Sequence, residues 1–334
     1  MAKSARDSSL DAVKGFTILI VMLGHVLVLN KINDPVIYDW IKAVQMPLFM
    51  MVSGYLCGKA AKAGSFADYG RMLKKRCTGY LLPFFAWTLV FHLDDFTWAF
   101  PAYLEQPERG LWFLITLFVL TFMVYTAQLA EALLGGGRKG KVAFWLVYGA
   151  LTVLVLLEAR AGIPWLGPHL TKIYLPFYMA AYLWGEHQPR ITAHFSPEFW
   201  KKLVNGIAIA GGIYCIVAAV GMDLMVMNGI RDYVLQNLAS FGGCISVIVF
   251  FYRLRDGRCK RFLAWLGQYT LEIYSIHYHF ARILNPGTLD FAVYSLPWLG
   301  FVAASFCVMS VLTALVVVAC RYFKVTRFLL YGKK

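Results

Sequence analysis

Two side chains on one apolar stretch carry the clearest chemical signal in this sequence. Lys14 and His25 lie eleven positions apart in KGFTILIVMLGHVLVL, with no charged residue between them. At 100° per residue, eleven steps make three turns plus about 20°, so both side chains leave one face of a helix, about 16 Å apart along its axis. An imidazole, with an unperturbed pKa near 6.5, accepts a proton near neutral pH. A lysine ammonium is instead a fixed charge that suits phosphate. Ionisable groups deep in hydrocarbon are costly, so His25 is a functional candidate by default. Asp11, three residues before Lys14, offers a plainer reading of the lysine as half of an ion pair at the helix entrance.

A second polar set lies in LAWLGQYTLEIYSIHYHF, residues 263–280. As one helix it puts Gln268, Glu272, Ser275 and His279 on a single stripe, with Thr270, Tyr274 and His277 beside it. A carboxylate there needs a partner or a proton, which turns Glu272 toward the interior and toward a histidine or lysine. The stripe also reads as a buried polar network that fixes helix register. Arg71, Lys74, Lys75 and Arg76 run into YLLPFFAW. Their charge suits a phosphorylated ligand or anionic lipid headgroups. Pro47 breaks the second apolar helix shortly before Ser53-Gly54, and broken membrane helices line cavities. Gly54 by itself reads as close helix packing. The stretch 92–109, HLDDFTWAFPAYLEQPER, leads to Trp112 and mixes carboxylates such as Asp95 with aromatic rings. That combination holds sugars, and it also makes an ordinary interfacial belt.

The elements that must position these groups are membrane helices. Of 334 residues, 60% are hydrophobic and 15% charged, far from a soluble domain. The reading is an all-α, polytopic membrane protein with about ten transmembrane helices, forming a single domain over 1–334. The spans fall near 13–30, 37–58, 77–93, 110–128, 142–158, 172–185, 203–221, 235–252, 262–282 and 297–320. With both termini cytoplasmic, 25 of the 32 Lys and Arg fall in cytoplasmic segments and four in external loops. The net charge of +14 is then topology and attraction to anionic membrane lipid, with no nucleic acid required. Seven cysteines without C-x-x-C spacing read as reduced core residues, with no disulfide framework and no metal site. MAKSARD before the first apolar run imitates a signal peptide, but no small-residue cleavage site follows, so an uncleaved first span is expected. GGGRKGK at 135–141 is a basic turn that lacks the strand and the Lys-Ser/Thr step of a nucleotide loop.

The chain resembles the membrane-bound acyltransferase-3 family, in particular its fucose 4-O-acetylase-like branch. The resemblance lies in LDAVKGFTILIVMLGH, MPLFMMVSGYLCGK, the basic run into RCTGYLLPFFAW, LWFL at 111–114 and LGQYTLEIYSIH at 266–277, in that order. It implies a ten-helix enzyme of the cell membrane. Such an enzyme takes an acyl group, usually acetyl, from cytoplasmic acyl-CoA and passes it to a hydroxyl of an envelope glycan, a lipid-linked sugar or a related small molecule. Acetyl-CoA is then the donor substrate and no metal takes part. The catalytic set expected on this basis is His25, Lys14, Glu272 and His277. The donor set is Lys14, Lys75, Arg76 and Ser53, and the acceptor set is Trp112, Asp95, Tyr274 and His279. Two departures stand out: Lys14 replaces the arginine of the family's most familiar pattern, and Gln45 stands where a histidine often precedes Met-Pro. Acyl transfer needs a base for the alcohol and a donor for the oxyanion. His25 suits the base, and an acyl-histidine relay is equally compatible with the sequence. A secondary transporter with a buried Glu/His site is the alternative, and it predicts an internal repeat of broken helices that the sequence does not clearly show. A non-catalytic scaffold has no need of Lys14 and His25 on one face.

Overall fold

The first helix starts where the sequence provides a cap. Asp7 accepts the Leu10 backbone N–H at 3.0 Å, and α1 runs Ser8–Leu29 to a C-cap at Asn30. Helix α2, Pro35–Lys59, opens in the same way, with Asp34 Oδ1 accepting from Ile37 N at 2.9 Å, and carries Pro47 in its interior. Ser65 caps α3, Phe66–Arg76, through the Asp68 N–H at 3.1 Å. Much of the stretch expected to be a basic loop is therefore helix, with no buried residue. A π turn, Cys77–Leu81, joins it to α4, Leu82–Phe91. There follow α5, Phe96–Glu105, inside the expected external loop, then α6, Trp112–Leu133, α7, Gly137–Arg160, α8, Pro168–Thr192, α9, Pro197–Gly221, and α10, Ile230–Arg253. The chain ends with α11, Arg258–Leu266, α12, Thr270–Ile276, a 3-10 turn, His277–Phe280, then α13, Leu296–Tyr322, and α14, Lys324–Tyr331. This computed structural model describes residues 6–32, 34–221, 229–285, 287, 289 and 291–333, the side chains of 35, 96 and 109 excepted.

Every regular element among the described residues is helical. Six helices, α1, α6, α7, α9, α10 and α13, are long and apolar enough to cross a bilayer, which makes this a membrane protein. Of the other expected spans, α2 and α8 are 25-residue helices of more polar composition. The ninth expected span, 262–282, is not one helix but two short ones and a 3-10 turn.

The described chain divides into two compact units, Met1–Val52 with His187–Val318, and Ser53–Glu186 with Ala319–Lys334. In the first, α1 and α11 touch backbone to backbone through glycines. A Cβ at Gly15 would lie 2.0 Å from Leu263 O, and one at Gly267 would lie 1.9 Å from Asp11 O. This contact accompanies the break in the expected ninth span. After Gly267 the bonds tighten to i→i+3, Gln268 N to Trp265 O at 3.1 Å and Tyr269 N to Leu266 O at 2.9 Å, before α12 restarts.

In the second unit, Gly54 packs against α8 as small residues in membrane helices do: a Cβ there would lie 2.1 Å from Tyr178 O. The basic tail forms α14 and docks beside α4, where Trp87 Nε1 donates to Leu330 O at 3.0 Å. Gly332, at φ 61°, follows it onto the π turn, where a Cβ would lie 2.1 Å from Thr78 O.

One polar clasp of this unit has a measurable consequence. Lys62 Nζ reaches Glu186 at 2.7 Å and Glu131 at 2.9 Å, tying the segment after α2 to α8 and α6. Burial opposes the ammonium, but the bonds and charges of the two glutamates outweigh it and raise the Lys62 pKa above its ordinary value. With the folded pKa raised, the stabilisation is complete below the unfolded value near 10.4 and is lost as pH climbs through the folded pKa. The pairs are part-exposed and so modest. Lys62→Met is expected to lower the thermal midpoint by about 2–4 °C at pH 8 and by progressively less as the pH climbs through the raised folded pKa, as read by thermal unfolding in detergent.

Candidate active site

His25 lies in the second half of α1, and the chain folds so that a segment 252 residues later meets it. Asn30 makes the local tie: its amide nitrogen donates to Val26 O and to Ala281 O, each at 2.8 Å. A little further on, Trp298 Nε1 donates to Ile32 O at 2.9 Å, fastening the start of α13 to the exit of α1. Between these ties and the glycine contact at Gly267, the segment from α12 to the 3-10 turn runs beside His25.

The outcome is a histidine pair. His25 Nδ1 and His277 Nε2 are 2.8 Å apart. The rings lie within 21° of coplanar with centroids 4.9 Å apart, as imidazoles joined edge to edge through N–H···N do. His277 is fully enclosed, and its Nδ1 is 2.8 Å from Ile273 O. A carbonyl only accepts, so His277 Nδ1 carries the hydrogen, and in the neutral ring its Nε2 is an acceptor. His25 Nδ1 must then donate to it. The network thus assigns His25 a bare Nε2, a lone pair on a part-exposed ring. Among the described residues no hydrogen-bond partner meets that nitrogen. Such an arrangement can take a proton at Nε2 and share the resulting charge with His277.

The other expected residues of this unit fall as follows. Lys14 remains on the face of α1 that the spacing gives it, and pairs with Asp11 at 2.5 Å. Asp11 is buried and also binds Arg6. Glu272 is fully enclosed in the first turn of α12. Tyr274 lies 6.3 Å from His277 between ring centroids, while His279 is exposed. The expected stripe through Gln268, Glu272, Ser275 and His279 does not form. The helix is interrupted, Glu272 and Ser275 face inward, and Gln268 and His279 face outward from the turns on either side. Two neighbours of His25 were not among the expected residues. Tyr278 stands edge-on to the His25 ring, at 87° with centroids 5.3 Å apart. Gln45, noted only as a departure, approaches Gly24: a Cβ there would lie 3.3 Å from its Oε1, a buried oxygen with no partner among the described residues.

Ser53, Lys75, Arg76, Asp95 and Trp112 belong to the second unit. Ser53 is part-exposed on α2. Lys75 is exposed at the end of α3, but Arg76 beside it is not. The Arg76 guanidinium donates to the phenols of Tyr125 and Tyr80, each at 3.0 Å. Among the described residues no carboxylate pairs with it. Trp112 stacks on Tyr174, at 21° with centroids 5.4 Å apart. Asp95 is exposed just before α5 and makes no side-chain cap.

A family model described as an acyltransferase domain matches residues 7–318. The chain is also similar to nodulation protein NolL of Sinorhizobium fredii, 26% identical over 199 residues that make up 54% of this chain and 49% of that protein. The matched part thus spans about half the length of that relative. No solved structure matches.

Proposed function

Because the chain belongs to the acyltransferase family whose model covers residues 7–318, we propose that it is a membrane O-acyltransferase with His25 as its general base. Its donor is acyl-CoA, most simply acetyl-CoA, and its acceptor is a hydroxyl of an envelope glycan or lipid-linked sugar. The observation that carries the reading is the 2.8 Å link from His25 Nδ1 to His277 Nε2, which leaves Nε2 of His25 bare.

The acceptor O–H gives its proton to Nε2 of His25 while its oxygen attacks the thioester carbonyl carbon. The tetrahedral adduct collapses with loss of the CoA thiolate, and the proton held by His25 passes to that sulfur. The imidazolium formed in between donates Nδ1–H to His277, a charge-assisted bond stronger than the neutral one. His277 is a positioning residue: it fixes the tautomer and touches no reacting atom. On charge alone Lys14 is assigned to the donor phosphates, with Lys75 and Arg76 of the second unit as the alternative cations. Both termini are placed in the cytoplasm of a cell-membrane protein, on the strength of the charge count.

The test is acetyl transfer from labelled acetyl-CoA to a panel of glycosides by purified protein, and a protein that moves no acetyl group to any hydroxyl ends this reading. Lys14 supplies a further prediction. Its ammonium acts by charge, so Lys14→Arg is expected to retain acyl-CoA affinity, whereas Lys14→Met weakens it about 3- to 10-fold at low salt and less at high salt. Calorimetry at two ionic strengths checks this. Wild-type affinity in Lys14→Met would reduce Lys14 to a helix anchor paired with Asp11.

A further inference from the structure

Among the rings around His25, Tyr278 combines contact with the base and openness to the outside. It is 50% exposed, while His277 next to it in the chain is fully buried. The 3-10 turn thus sends one residue to fix the base and presents the next. Tyr278 stands perpendicular to the His25 ring and edge-on to His279, at 81° with centroids 6.0 Å apart. Among the described residues its hydroxyl has no hydrogen-bond partner. Tyrosines packed for structure bury the ring and satisfy the hydroxyl, as Tyr178 does here with Thr121 at 3.0 Å. Tyr278 does neither.

Resting on the transferase reading above, we propose that Tyr278 is the acceptor platform, selecting a cyclic sugar over an acyclic alcohol. A pyranose has apolar C–H faces and a polar rim, which matches an open aromatic face carrying an unpartnered hydroxyl. A ring laid on Tyr278 presents a hydroxyl toward His25, whose Nε2 is the bare nitrogen of the pair. A saturated lipid chain on the same face would leave the phenol oxygen unsatisfied, and an acetyl group is too small to use the face.

The experiment compares acetyl transfer from acetyl-CoA to methyl pyranosides and to glycerol, using full-length protein in detergent. The wild type is expected to prefer the pyranosides. Tyr278→Ala is expected to raise KM for pyranosides about 3- to 10-fold more than KM for glycerol, so that the preference is lost while the thermal midpoint stays at its wild-type value. Tyr278→Phe and Tyr278→Trp, which keep an aromatic face, should retain the preference. The unchanged thermal midpoint excludes misfolding as the cause. Equal losses on pyranoside and glycerol in Tyr278→Ala, or a rise of pyranoside KM in Tyr278→Phe as large as in Tyr278→Ala, would overturn the platform. A wild type that acetylates neither acceptor overturns the transferase reading and the platform with it. A preference for pyranosides that survives in Tyr278→Ala overturns the platform alone.

Discussion

Replacing His25 by alanine is expected to reduce acyl transfer by about 100- to 10,000-fold, the range that removal of a general base produces, while leaving expression and membrane insertion intact. Replacing His277 is expected to cost less and in a particular way. The His277 ring accepts Nδ1–H of His25 at 2.8 Å, and that bond strengthens when His25 carries the proton. A hydrogen bond from a charged group contributes about 1.5–3 kcal/mol, so His277→Leu should lower kcat about 10- to 150-fold. The donor KM should not move, because His277 is fully buried and touches no substrate in this scheme. His277→Gln supplies the control that separates orientation from mere packing. A glutamine oxygen at that position can accept Nδ1–H and keep His25 in the same tautomer, so this variant should recover most of the activity. Equal losses in His277→Leu and His277→Gln would show that the ring holds the segment in place without setting the base. Full activity in a well-expressed His25→Ala protein would remove the base assignment altogether.

Gly267→Val is expected to be the most damaging substitution far from any reacting atom. Even a first side-chain carbon at 267 would lie 1.9 Å from Asp11 O and 3.1 Å from Gly15 N. Both are backbone atoms of α1, which cannot swing aside as a side-chain tip can. Overpacking of this kind costs about 1–3 kcal/mol and sometimes more, so α1 and α11 must separate. They carry His25 and lead into His277, so separation opens the 2.8 Å link as well. The thermal midpoint should fall by several degrees, and transfer should fall further than the fraction unfolded explains. Gly300→Val in α13 is the matched control, since nothing lies within 4 Å of a Cβ there. Similar behaviour of the two variants would mean that the glycine contact does not support the site.

The sequence and the structure agree where local physics decides and part where tertiary contacts do. The span through Lys14 and His25 was legible because a long apolar run with one basic end has few other uses. The start of α3 was carried by the sequence but not read from it: Ser65 and Asp68 are a capping pair, and the weight of basic residues around them hid it. The interruption of 262–282 was not legible. A single glycine costs a helix only about 1 kcal/mol, so Gly267 predicts no break by itself. What sets Gly267 apart is the backbone of α1, which the local sequence does not contain. Stripes drawn at helical spacing through that break then join residues that face opposite ways, such as Glu272 and His279. Tyr278 lay off both stripes, and it reaches His25 only because a 3-10 turn follows α12. The π turn after Arg76 left no signal in composition or periodicity, and its partner Gly332 lies at the other end of the chain.

The 252-residue separation of His25 and His277 also sets the order in which the protein can be made. At about 5–20 residues per second, a ribosome takes roughly 13–50 seconds to travel from one histidine codon to the other. Throughout that interval α1 is already synthesised but has neither α11 against Gly15 nor an acceptor for His25 Nδ1. The His277 partner of His25 is thus added only when nearly five-sixths of the chain has been synthesised. A nascent chain stalled before residue 263 has His25 but neither the α11 contact at Gly15 nor the His277 partner.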